Sequence, residues 1–168
     1  VLNKTNSPAR AYGANIHNGT GDLILFDYTA NAERLRIDSA GRVLIGTTTE
    51  GDASANNLTI ASNTGYCGMT IRSGSSSEGN IFFSDATSGA GEYVGMLRYE
   101  HNNDAMVIKT ANAERLRIDS SGRILIGTST QNNNARLQVT TTNQVVATFE
   151  GTGVSDPQIY VGDNMASS

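Results

Sequence analysis

The sequence predicts an all-β chain built from tandem, β-hairpin-rich modules. Three observations carry that expectation. A twenty-one-residue stretch, "TANAERLRIDSAGRVLIGTTT" from Thr29, returns as "TANAERLRIDSSGRILIGTST" from Thr110, changed only at Ala40/Ser121, Val43/Ile124 and Thr48/Ser129. Duplicated contiguous sequence encodes a structural unit used again, whereas a catalytic constellation is normally assembled once from scattered positions. Second, 18 Gly, no Trp and 6% aromatic residues in a 168-residue chain describe a thin core, and the Thr, Ser, Asn and Gly that dominate suit short strands and tight turns. Third, apolar and charged residues alternate with a period of two through the duplicated stretch.

The elements follow from that period. Leu35 and Ile37 alternate with Arg34, Arg36 and Asp38, and Val43 and Ile45 alternate with Arg42, which predicts two half-buried strands. Between them, Asp38 suits the first position of a type I turn and Gly41 the left-handed position after it; Asp119 and Gly122 repeat the device. A short helix over "ANAERLR" is the rival, on helix propensity alone. Further strands are predicted at 23–28, 57–60, 69–72, 80–83, 94–99, 105–109, 136–140, 144–149 and 158–161, joined by turn-rich connectors such as "SGSSSEG" and "SDATSGAGE".

Fainter echoes mark out the modules. "MTIRSGSSSEGNIFFSD" from Met69 recurs as "ATFEGTGVSDPQIYVGD" from Ala147, and "YGANIHNGTGDLILFDYTANAE" from Tyr12 parallels "YVGMLRYEHNNDAMVIKTANAE" from Tyr93. Residues 1–49 read as the back half of a module, 50–130 as a complete one and 131–168 as the front half of another. The expectation is a sample of a longer array.

Such modules bury little by themselves, so something must cover a second face. Leu44 and Leu125 sit between two residues assigned to the buried face and are expected to point away from it, into a core shared between chains. A second sheet from the same chain, or identical chains wound about a symmetry axis, would supply the cover; the thin cores favour the latter.

The net charge of −4, with no isolated Lys/Arg cluster, argues against nucleic acid as a partner. No apolar run approaches the roughly 18 residues of a membrane span, so no membrane insertion is expected. One cysteine, Cys67, excludes an intrachain disulfide framework and reads as a small, half-buried side chain. No phosphate-loop, dinucleotide-binding or metal-ligand spacing occurs, and no cofactor is expected.

The run "ERLRIDSSGRILIGTST", with "TIRSG" and "GNIFFSD" upstream and "ARLQV" downstream, resembles the repeating shaft segments of tailed-bacteriophage tail fibre proteins, especially those of marine phages. Such segments often precede an endosialidase-type chaperone domain. The resemblance covers about Tyr12 to Asp163 and is most specific at 33–41 and 114–122. It implies an elongated, intertwined homotrimer in the virion tail, extracellular, contacting other tail proteins and supporting host attachment. A bacterial surface adhesin stalk would use the same physics, and a tailspike polysaccharide depolymerase is the enzymatic rival.

Candidate chemistry is sparse. A depolymerase needs paired carboxylates, and Glu33/Asp38 and Glu114/Asp119 qualify by type but lie among arginines that can pair with them. Asp85, Glu92, Glu100 and Asp104 stand outside the duplication. His17 and His101 occupy equivalent His-Asn turns and read as exposed turn residues. Tyr66, Tyr93 and Tyr99, helped by Asn102, Asn103 and Asp104, would be the residues to contact a host-surface glycan, although tyrosines at strand ends more often pack with a wet hydroxyl. The expectation is a structural protein and no enzyme.

Overall fold

The computed structural model describes residues 11–62, 64–132, 134–142 and 146. These residues form strands, turns and one short 3-10 helix, with no α-helix among them. The chain is all-β. It divides into two compact units, Val1–Thr70 and Ile71–Ser168, each holding one sheet.

The first sheet runs in chain order through β1 (Tyr12–Ile16), β2 (Leu23–Asp27), β3 (Ala32–Ile37), β4 (Val43–Ile45) and β5 (Leu58–Ile60). The first four strands are antiparallel neighbours, while β4 and β5 pair in parallel. A parallel pair needs a crossover, here residues 46–57. The second sheet contains β6 (Glu78–Phe83), β7 (Gly95–Glu100), β8 (Ala105–Thr110), β9 (Ala113–Ile118), β10 (Ile124–Ile126) and β11 (Leu137–Val139), again in chain order and again closing with a parallel pair, β10 with β11. The 3-10 helix, Gly89–Tyr93, lies in the connector from β6 to β7. Each "ANAERLR" run passes from a two-residue turn segment into strand, β3 or β9, and forms no helix, because that strand is paired on both sides.

Several expectations change. Residues 69–72 form no strand: flanked by Gly68 and Gly74, the segment finds no ladder partner. The strands expected at 144–149 and 158–161 lie outside the described residues, except for residue 146, which is in none. The boundaries expected after residues 49 and 130 fall in the crossovers between β4 and β5 and between β10 and β11, whose flanking strands are hydrogen-bonded to each other.

Each sheet carries one β-bulge, between Leu25 and Phe26 opposite β3 in the first and between Ile108 and Lys109 opposite β9 in the second. An inserted residue shifts the alternation by one. Glu33 and Arg36, three apart, therefore share a face, as do Glu114 and Arg117.

The two faces of each sheet differ sharply. Across the first sheet one row reads Asn15, Ile24, Arg36, Leu44, Thr59; across the second, Asn80, Arg98, Val107, Arg117, Leu125, Gln138. On the opposite face each sheet carries a wholly apolar row. Ala14, Leu25, Leu35, Ile45 and Ile60 form one, and Ile81, Leu97, Ile108, Leu116, Ile126 and Val139 another. The mixed rows hold the cores: Ile24, Leu44, Val107 and Leu125 are buried, Leu44 and Leu125 at 1% exposure.

This reverses the expected roles of the faces. Leu44 and Leu125 are covered within one chain, while Ile37 and Ile45, assigned to the buried face, are exposed. The crossover explains it. Thr59, beside Leu44, accepts a hydrogen bond from the Gly51 N–H at 3.0 Å, and Arg42 on the same side reaches Glu50 at 3.1 Å, so the loop lies over the Leu44 face. In the second sheet Gln138, beside Leu125, accepts from the Asn132 N–H at 2.7 Å and donates to the Thr130 carbonyl at 3.1 Å. Arginine stems on either side complete the roof.

Candidate functional site

The densest chemistry lies on these mixed faces. Arg117 on β9 donates to Glu114 at 2.8 and 2.9 Å and to Glu100 at 3.0 Å. Arg98 on β7 reaches Glu78 at 2.7 Å and Glu100 at 3.4 Å, so it bridges two carboxylates that stand directly opposite each other. In the first sheet Arg36 holds Glu33 and Asp22. The same arginine thus recruits its second carboxylate from different places: the turn before β2 in one sheet, the end of β7 in the other.

Burial alone would raise Glu100, but hydrogen bonds from Arg117 and Asn103 and the charges of Arg117 and Arg98 hold it below the usual carboxylate range. Hydrogen bonding to Glu114 is the main cause that raises Arg117, against the opposing effect of burial. Thr20, Ser39 and Arg36 likewise hold Asp22 low.

The hairpin turns form a second cluster. Asp38 accepts the backbone N–H groups of Ala40 and Arg42, both at 2.9 Å, and the Arg42 Nε at 2.6 Å. Asp119 does the same with Ser121, Arg123 and the Arg123 Nε, at 2.9, 3.0 and 2.7 Å. The backbone bond from Arg42 is the main cause lowering Asp38, and that from Arg123 the main cause lowering Asp119. Gly41 and Gly122 complete the turns at φ +81° and +71°.

The residues singled out for glycan contact are brought together only in part. Tyr66 is fully exposed and belongs to the first unit. Tyr93 ends the 3-10 helix beside Phe82, ring centroids 6.3 Å apart. At the other end of β7, Tyr99 packs edge-on against His101 at 5.0 Å and donates its hydroxyl to Asp104 at 3.3 Å, with Asn102 exposed in the same turn. Tyr99, His101, Ile71, Leu97 and Met106 line a shallow cavity of about 230 Å³. The His17 Nδ1 lies 3.1 Å from the Thr20 hydroxyl in its own turn. Asp85 and Glu92 are exposed. Among the described residues, no three His, Cys, Asp or Glu side chains are placed to hold a metal ion. Cys67, expected half-buried, is exposed, its thiol 3.3 Å from the Ile60 carbonyl; the segment around it forms no strand that could cover it.

Two structural residues escaped the sequence reading. Gly46 and Gly127, in the "IGT" after each hairpin, both have φ +72°, and a Cβ there would collide with the carbonyl oxygens of Ala61 and Thr140 respectively. The recurrence of "IGT" was the available signal. The need for glycine arises from a strand met more than ten residues later.

No protein-family model matches the chain, and no curated protein matches its sequence.

Proposed function

We propose that the chain is a structural segment of a tailed-phage tail-fibre shaft, a homotrimeric, extracellular component of the virion that supports host attachment. One observation carries the structural role. Every charged side chain of the two duplicated hairpins, from Glu33 to Arg42 and from Glu114 to Arg123, is engaged by a partner of its own sheet. Asp38 and Asp119, held low by their turns, are poor proton donors at neutral pH and so poor candidates for the acid that a glycosidase pair requires. The likeness of "ERLRIDSSGRILIGTST" to fibre shafts supplies the biological setting. The contacts would then be other copies of the chain, other tail proteins and a host-surface glycan.

Light scattering on the purified chain tests the proposal. The expected mass is three times that of the 17.7 kDa chain. A monomer with cooperative unfolding at all concentrations would overturn it.

A further inference from the structure

The apolar faces remain to be accounted for. Each sheet carries two adjacent rows with no charged residue: Ile16, Leu23, Ile37, Val43, Leu58 run beside the Leu25–Ile45 row, and Gly79, Tyr99, Met106, Ile118, Ile124, Leu137 beside the Leu97–Ile126 row. The exposed large side chains here range from 37% at Leu23 to 62% at Ile16, while Leu35, Leu116 and Met106 are half-buried. We propose that these faces, and not the Leu44/Leu125 faces, are where a second copy of this chain packs.

The occupant is argued from charge, area and recurrence. Rows without charge offer nothing to select a charged partner, and burying a partner's charge against them would leave it unpaired. The exposed fractions amount to on the order of 500 Å² of apolar surface on each sheet, a large part of the roughly 800 Å² that each partner contributes to a standard stable interface. The same pair of rows occurs in both sheets, so a partner that covers both must itself present matching apolar rows twice. Another copy of this chain does so. The mixed faces cannot compete, because their loops and arginines already cover them.

This inference rests on the fibre-shaft reading but fails separately from it. The test compares the oligomeric mass of the wild type with that of Ile126→Lys and Ile45→Lys. A trimeric wild type with variants that dissociate at least tenfold more readily is the expected result. Because a lysine placed on this face can also impair folding, thiol labelling is run beside it. In a Cys67→Ser background, Ile126→Cys should react with a maleimide at least tenfold more slowly than Ser121→Cys in the native protein, and equally fast in denaturant. A monomeric wild type would sink the shaft reading and this inference together. A trimer in which Ile126→Cys labels as fast as Ser121→Cys would overturn this inference alone.

Discussion

Leu125 lies directly opposite Arg117 across β9 and β10, and both are withdrawn from solvent: Leu125 is 1% exposed and the Arg117 side chain 15%. The leucine is roofed by the stem of an arginine whose head is tied down by Glu100 and Glu114. Leu125→Ala should therefore destabilise the fold by about 3 kcal/mol, the usual loss for a buried leucine. It should leave the oligomeric mass unchanged, because this face is finished within the chain. Denaturant melts at fixed protein concentration, beside light scattering, check both.

Removing the carboxylate that the two arginines share has a different signature. Glu100→Gln leaves Arg98 and Arg117 each short of one charge-assisted bond, an expected cost of about 2 kcal/mol. In an Arg117→Met background the same change should cost much less. A double-mutant cycle measures that coupling.

Gly127→Ala should be among the most damaging single-methyl additions in the chain. The new Cβ meets the Thr140 carbonyl oxygen and forces alanine into a left-handed backbone at φ +72°, for an expected loss of about 2–3 kcal/mol from the backbone conformation and the displaced parallel strand. Gly122→Ala meets no atom within 4 Å and carries only the conformational part of that penalty. A difference between the two melts of less than experimental error would refute the argument.

Acid should weaken the fold in a defined window. Asp22, Asp38, Asp119 and Glu100 all have folded pKa values below their ordinary ones. Groups of this sign contribute stability that is fully present above the unfolded pKa, near 4, and is lost as pH falls through the lower folded values. The melting temperature should be flat from about pH 6 to 8 and fall below about pH 4.5. Asp119→Asn should flatten the acid limb, since it removes one titrating group.

Identical sequence makes different turns in the two sheets, and one side chain accounts for it. After β8 the chain reverses over Ala111 and Asn112, both at positive φ, whereas after β2 it takes four residues, with only Asn31 at positive φ. In the first sheet the Asp27 carboxylate accepts the N–H groups of Thr29 and Ala30, at 3.1 and 3.0 Å. Asp27→Ala should shift Ala30 toward the two-residue turn, and Asp27→Asn, which keeps the acceptor, should not. The Ala30 amide–α-proton coupling constant and chemical shifts report the change.

Much of the fold was legible from local pattern. Period-two alternation located strands in the twin hairpins, and Asp-Ser-X-Gly located the reversals between them, because both depend on residues within one hairpin. The chain as an all-β protein follows from the same local signals. Which face of each sheet is closed did not follow. Alternation separates two faces without saying which one a crossover loop will cover, and the arginines that mark one face as polar become its roof once Glu100, Glu114 or Asp22 arrives from another strand. The requirement for Gly46 and Gly127, and the two turns made by one "TAN" sequence, were likewise decided by atoms distant in the chain or outside the repeat. Local propensity thus determined where the strands and turns begin, and long-range contacts, which no window of the sequence contains, decided which leucines are core and which stay exposed.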